Sequence, residues 1–417
     1  MKNRFFGIWV ALLLALVFST SWASESNKTN GGNNAPSVNE VLLIKQRNEL
    51  RTSGFDALYN IEYAQAQDKF EQLISLAPEH PAGYIYKAAS FWLSQMHHRR
   101  RLQTCLFNSS TFRSDLVSGP VKIDEKSEQQ FYQLLETARE KAETMRKQNS
   151  RNTEALYFLG VAYAIQAGYE AAVTEKYFSA LRAGMKAADL HRKLLKLDPN
   201  FVDAYLTIGF YDYVVANLPL SFRIMGSLFG IRGNEARGIA ALERVVKEGK
   251  YTSDDARVLL IGIYKREKRH QRALELLMEL RQRYCRNYLL TLETAALLVK
   301  MRRYQDAFQT FEQLLNEPQQ ASGTLALVHF HYGDALIASG RFIEAVKQFL
   351  VTAQPPSADC HLAILAHFRA GQAYDLAKQR EQAIEQYREV LNSENTYNIH
   401  SRAREYLKRP YLSNNDE

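Results

Sequence analysis

The chain has 417 residues, 46% of them hydrophobic, which is ample length and apolar content for a sizeable core. Its formal charge of +8 is a mild excess for that length, with no dense cationic block of the kind nucleic-acid binders concentrate on one face, so nucleic acid is not an expected partner. Three scattered cysteines, Cys105, Cys285 and Cys360, match the dense disulfide framework of a small secreted domain poorly; Cys285 and Cys360, at repeat junctions, are expected to be buried small residues, a pair brought together by the superhelix being the alternative.

In chain order, residues 1–23 read as a secretory signal. Lys2 and Arg4 supply a basic start, Ile8 to Phe18 an apolar run, and Ser21-Trp22-Ala23 a small-x-small exit, with cleavage expected after Ala23. The apolar run is shorter than the roughly 20 residues needed to span a bilayer. No cysteine stands beside the cleavage site to accept lipid. The expected compartment is therefore the periplasm. Removing two cations lowers the net charge from +8 to +6. Residues 24–37 are rich in Asn, Gly and Ser and read as a flexible lead-in.

Helical spacing starts near Val38. Ala66, Phe70 and Pro78 mark the end of a first hairpin, and His97-His98-Arg99-Arg100-Arg101 opens an insertion that lasts until a helix near Glu125. That charge run reads as a solvated turn, with an anionic surface as the alternative contact. Neighbouring histidines point in different directions on a helix, as do His329 and His331, so no metal is expected. Further on, the stretch 214–231 is the most apolar part of the mature chain, yet Asn217, Pro219 and Arg223 argue against a spanning helix. It reads either as buried packing or as a lid or lipid contact through Phe222, Arg223, Met225 and Phe229. The aromatics Phe201, Tyr205, Phe210, Tyr211 and Tyr213 precede it and offer a candidate wall for a small apolar ligand.

From residue 251 the pattern becomes regular. Asp254 and Asp255 are expected to offer a cap and an acidic first turn to a helix whose apolar stripe is Val258, Leu260, Ile261 and Tyr264, followed by a turn at Lys268-Arg269-His270. The pairs Ala273/Leu277, Ala307/Phe311, Ala345/Phe349 and Ala383/Tyr387 then recur evenly along the chain. Their period of roughly 34 to 38 residues predicts an array of helical hairpins. A final polar helix over 398–409 is expected to cover the last apolar face. The expected division is a leader (1–23), a lead-in (24–37), irregular repeats with insertions (38–250), regular repeats (251–397) and a capping segment (398–417).

These residues resemble the tetratricopeptide repeat. Leu156-x-x-Leu159-Gly160-x-x-Tyr163 and His367-x-x-Ala370-Gly371-x-x-Tyr374 match the first-helix half of the pattern. Tyr205-x-x-Ile208-Gly209 and His329-x-x-Tyr332-Gly333 match part of it, with Asp212 standing where the pattern has tyrosine; Ala187, His191 and Pro199 match the second half. The resemblance implies an all-α fold, a right-handed superhelix (α-solenoid) of about eight antiparallel helix pairs with insertions in the N-terminal half. It also implies that a protein or peptide partner lies on the first helices, at Leu206, Phe210, Tyr213, Val258, Lys265, Arg266, Leu289, Leu292, Lys300, Leu327, Phe330, Asp334, Phe368 and Asp375. Such a groove is mostly apolar, suited to an amphipathic helix or an extended apolar peptide; the alternative is that tight superhelical winding buries Leu292, Phe330 and Phe368 against neighbouring helices.

The usual short signatures of hydrolases, zinc peptidases and phosphate-binding loops are missing, and the repeats consume nearly the whole chain. The expectation is a non-enzymatic scaffold without a cofactor, serving envelope assembly or transport. The alternative is a carrier or sensor of a small apolar ligand or lipid through residues 201–231.

Overall fold

The computed structural model describes residues 38–98, 124–220, 223–224, 232–317, 322–354, 360–395 and 399–412. Among them are seventeen α-helices, one 3-10 turn at Val202–Ala204, and no strand. The leader, Arg99 to Arg101, Cys105, Phe222, Met225 and Phe229 lie outside the described residues.

The helices form eight consecutive hairpins. They are α1 (Val38–Tyr59) with α2 (Tyr63–Leu76), α3 (Pro81–His98) with α4 (Glu125–Gln148), α5 (Thr153–Ala172) with α6 (Tyr177–Leu197), and α7 (Tyr205–Ala216) with α8 (Glu235–Glu248). The series continues with α9 (Ser253–Arg266) and α10 (His270–Arg283), α11 (Tyr288–Lys300) and α12 (Tyr304–Leu315), α13 (Ser322–Ala338) and α14 (Phe342–Ala353), and α15 (Cys360–Leu376) and α16 (Arg380–Asn392). A last helix, α17 (Ile399–Lys408), follows where a capping segment was expected. By contacts the chain divides after Asn287, so that α1–α10 form one compact unit and α11–α17 a second.

Each short turn is made the same way. Ile61, Glu175, Lys268, Arg302 and Lys378 adopt left-handed backbone with φ between 56° and 61°, and Gly340 does so at 83°. Each stands at the same distance before a buried alanine: Ala66, Ala180, Ala273, Ala307, Ala345 and Ala383. A single left-handed residue reverses the chain at the end of the first helix, so the next helix starts in a fixed register. The alanine rows then recur at the same steps as the turns.

Within a hairpin the first helix carries a glycine against which a ring from the second helix lies. A Cβ on Gly333 would come 2.7 Å from the Phe349 ring, and one on Gly371 would come 2.6 Å from the Tyr387 ring. Gly54 and Phe70 make the same contact in the first hairpin, and Gly160 and His191 in the third. Phe70, Phe349, Tyr387 and His191 are all fully buried. Burial of each apolar ring contributes about 1.5–3 kcal/mol, and the missing Cβ is what permits it.

Two hairpins depart from the regular unit. Gly160 and Ala187 stand farther apart in sequence than Gly333 and Ala345, because α5 continues 12 residues beyond its glycine against 5 in α13, and α6 runs 10 residues before its alanine against 3 in α14. The lengthening is close to two helical turns per helix, so the glycine still meets its ring. In the fourth hairpin the extra residues lie between α7 and α8. There Gly238 belongs to the second helix and crosses α7 at Gly209, whose Cβ would come 2.9 Å from the Gly238 carbonyl oxygen. Asp212, standing in the place of tyrosine, accepts from Arg237 Nε at 2.6 Å and lies 3.6 Å from Arg192.

The first unit returns its end to its beginning. The Tyr59 hydroxyl donates to the Asp255 carboxylate, and the Tyr59 ring stacks on Tyr284 with centroids 4.6 Å apart. Arg286 donates to Glu62 at 2.7 Å and to Asp56 at 2.9 Å, and Asn287 Nδ2 donates to the Tyr59 carbonyl at 2.6 Å. Helix α1 is thereby joined to the last residues of its unit. Burial pushes the Asp255 carboxyl well above the usual carboxylate range, with the charges of Asp254 and Asp203 acting in the same direction and the Tyr59 hydrogen bond opposing.

Asp255 therefore does not cap α9. The N-terminal amides before that helix are taken by Asp203, which accepts from Tyr251 N at 2.9 Å and from Thr252 N and Oγ1 at 2.8 Å each. A carboxylate distant in sequence thus anchors the residues leading into α9, while Asp254 and Asp255 form the acidic first turn that was expected there. Asp254 instead accepts from the Tyr284 hydroxyl at 2.6 Å and pairs with Arg283 and Arg257. The cysteine expectation is also corrected. Cys285 and Cys360 are free and exposed, since one lies in the turn after α10 and the other is the first residue of α15.

Candidate functional site

The first helices place the resemblance-derived positions in two groups. Leu206, Phe210, Leu289, Leu292, Leu327, Phe330 and Phe368 are each 4% exposed or less and lie in the interior of their units. Phe330 meets Phe349 edge-on with centroids 5.5 Å apart. Phe368 is stacked by Tyr406 of α17 at 5.8 Å and overlain by the Arg402 guanidinium at 5.3 Å. Phe330 thus packs across its own hairpin and Phe368 against the terminal helix.

The polar members are drawn into local networks. On α9, Arg266 donates to Asn217 Oδ1 at 2.7 Å and to the Tyr213 hydroxyl at 3.3 Å, while Tyr213 donates to Glu267 at 3.2 Å. Burial raises the Tyr213 phenol above its ordinary pKa, so it remains a donor at neutral pH. In the second unit Asp334 accepts from Arg369 Nε at 2.7 Å. Asp375 accepts from Arg380 at 2.8 Å, from the Tyr387 hydroxyl at 2.9 Å and from the Tyr411 amide at 2.8 Å. His329 with Gln348, and His367 with Gln386, repeat one hydrogen bond in successive hairpins, at 2.7 and 2.8 Å.

Four of the positions reach solvent. Val258, Lys265 and Arg266 on α9 are half-buried, and Lys300 at the end of α11 is exposed. Lys265 and Arg266 are neighbours on one helix end, so the first unit offers a cationic rim beside Val258. Of the 201–231 region, Phe210, Tyr211 and Tyr213 are buried, Phe201 packs on Tyr157 with centroids 5.0 Å apart, and Tyr205 lies under the Arg244 guanidinium at 4.8 Å. Arg223 is exposed, and its amide donates to the Pro219 carbonyl at 3.0 Å. At the end of α3, His98 is exposed and hydrogen-bonded to the Ser94 carbonyl at 2.8 Å, while His97 lies 5.4 Å from the Tyr63 ring.

Sequence reasoning missed the partners of Asp203 and Asp255. Both occupy the second position of consecutive repeats, and an acidic residue recurring at one register was the available signal. Gly54 was missed too, because the residues around it lack the other first-helix landmarks. Among the described residues no group of three or more His, Cys, Asp or Glu side chains is placed to hold a metal ion, and no helix is long and apolar enough to cross a membrane.

Hairpins nested through a glycine and a ring, in series and closed by a terminal helix, define an all-α repeat protein. Residues 365–394, most of α15 and α16, match the family model described as Tetratricopeptide repeat. That segment is a tetratricopeptide repeat, set within an all-helical chain of consecutive hairpins. No curated protein matches it in sequence. Among solved structures it is similar to the human IFIT1 dimer with m7Gppp-AAAA, at 14% identity over 98% of this chain and 86% of that one, with a TM-score of 0.37. It is also similar to a tetratricopeptide repeat protein from Parabacteroides merdae, at 13% identity over 82% and 99%, with a TM-score of 0.29. Yeast Tom70 is similar at 12% identity over 87% and 95%, with a TM-score of 0.28. Overlaps this low carry no functional argument.

Proposed function

We propose that the protein is an exported scaffold, working in the periplasm, that holds a protein or peptide partner on the surface of its first helices. The observation that supports this most is the division of labour along those helices. Apolar positions lie in the interior, while Val258, Lys265 and Arg266 reach solvent on α9 and Lys300 does so on α11 at the place that matches Arg266. A partner on the α9 end would lay an apolar group on Val258 and direct a carboxylate or backbone carbonyl toward Lys265 and Arg266. The burial of Phe330 and Phe368 makes them unsuitable probes, because Asp at either position would break the interior before it tested binding.

The test is crosslinking in intact cells with a photoreactive residue at position 258, followed by mass spectrometry. One discrete adduct is expected, reduced at least tenfold when Lys265→Glu and Arg266→Glu are added with helical circular dichroism retained. No adduct at 258 or 300, or an adduct indifferent to the charge reversal, would remove this reading. Export is tested separately, by the mass of the protein's N-terminus: the expected value begins at Ser24.

A further inference from the structure

We propose that the closure of the first unit is a proton-controlled latch: α1 stays joined to α9 while the Asp255 carboxyl keeps its proton, and is released when that proton leaves. The geometry of the join calls for a neutral acid. Asp255 is 1% exposed, one of its oxygens accepts from the Tyr59 hydroxyl, and Oδ2 has no hydrogen-bond partner. Among the described residues no cation forms an ion pair with it. The guanidiniums of the closure are committed elsewhere: Arg257 and Arg283 pair with Asp254, and Arg286 pairs with Asp56 and Glu62. A buried carboxylate with one hydrogen bond and no counter-ion is far less stable than the neutral acid in the same place.

The groups around the carboxyl act in the same direction. Tyr59 on α1, Tyr157 on α5 and Tyr284 on α10 lie within electrostatic reach of Asp255, and burial raises all three phenols above their ordinary pKa, so they stay neutral. Tyr86 on α3 and Arg51 on α1 act on Tyr157. The Arg51 guanidinium itself lies over the Tyr251 ring, 5.2 Å from its centroid. The two charges that do act on Asp255 are both negative: Asp254, beside it on α9, and Asp203, ahead of α7. The start of a helix ordinarily favours a carboxylate, but Asp203 already takes the amides leading into α9. Burial first, then these two charges, hold the proton on Asp255 against the single Tyr59 hydrogen bond. Once α1 moves away, water reaches the carboxyl and its ordinary acidity returns, so closing takes up one proton. The contribution to closure is therefore complete below the open-state pKa of about 4 and is lost as pH rises through the closed-state value. Between the two, the closing constant falls up to about tenfold per pH unit.

The test reads amide exchange in residues 50–62 of the full chain, corrected for the intrinsic effect of pH, at about pH 5 and about pH 9. Protection is expected to fall at least tenfold between them. Asp255→Asn, which still accepts from Tyr59 and has no proton to lose, should keep the acid-side protection at the higher pH. Arg286→Gln weakens the outer clasp without altering the carboxyl, so it should lower protection by a similar factor at both pH values and preserve the slope. At about pH 6, infrared spectra should show one protonated carboxyl that Asp255→Asn lacks. Circular dichroism checks that each variant is folded. Equal protection of the unaltered chain at the two pH values, the same fall in Asp255→Asn, a slope lost in Arg286→Gln, or no additional protonated carboxyl in the unaltered chain would overturn the proposal. So would a fall spread evenly over α2–α8, which would mark general alkaline loosening rather than release of α1.

Discussion

At the scale of single residues, His191 shows how one position carries both packing and pH sensitivity. It takes the place of the ring that covers the first-helix glycine, stacks on Tyr157 with centroids 5.1 Å apart, and has Nε2 3.0 Å from the Tyr157 carbonyl. Burial lowers its pKa from 6.5 to about 4, with hydrogen bonds of the ring to the Tyr157 and Ala204 backbone opposing. The unfolded chain then takes up the proton first as pH falls. Stability from the neutral ring is complete above about pH 6.5, declines as pH drops toward 4, and amounts to about 3 kcal/mol across that window. His191→Phe, which restores the ring the repeat pattern carries, should flatten this part of the stability profile in urea titrations. The same slope in the variant would place the acid sensitivity elsewhere.

At the scale of elements, the turns govern how regularly the hairpins form. Lys268, Arg302 and Lys378 hold a left-handed backbone that costs an ordinary residue about 1–2 kcal/mol, whereas Gly340 holds it without a Cβ. Part of any gain from glycine is offset by its greater freedom in the unfolded chain. Lys378→Gly should therefore stabilise the protein by up to about 1 kcal/mol, and Gly340→Lys should destabilise it by a similar amount, both read from the urea midpoint. A stabilising Gly340→Lys would contradict this account of the turn. Space does not obscure the comparison, since nothing lies within 4 Å of a Cβ built on Gly340.

At the scale of the whole molecule, the two compact units are held together in different ways. The second is a run of neighbours ended by α17 and the tail, where Asp375 gathers Arg380, Tyr387 and the Tyr411 amide. The first is also bound end to start through Tyr59, Asp255 and Arg286. Arg286→Glu should place a carboxylate against Asp56 and Glu62. Hydrogen exchange should then quicken together in residues 50–62 and 250–287, although these are far apart in the chain. Faster exchange confined to residues near 286 would show that the closure is not cooperative.

The hairpin count, the all-helical class, the recurring Ala-x-x-x-ring pairs and the terminal helix were readable because they depend on local spacing. A period of roughly 34 to 38 residues survives any detail of packing. The lengthening of α5 and α6 was readable as a distance, though not as two extra turns on each. What the first-helix side chains do was decided by tertiary structure: Phe330 and Phe368 carry the same apolar signature whether they face a partner or a neighbouring helix, and only the fold supplies the neighbour. The closure of the first unit was likewise beyond the local pattern. Asp255 looks like a helix cap in its own window, and becomes a buried partner of Tyr59 only because the intervening helices bring two distant segments together.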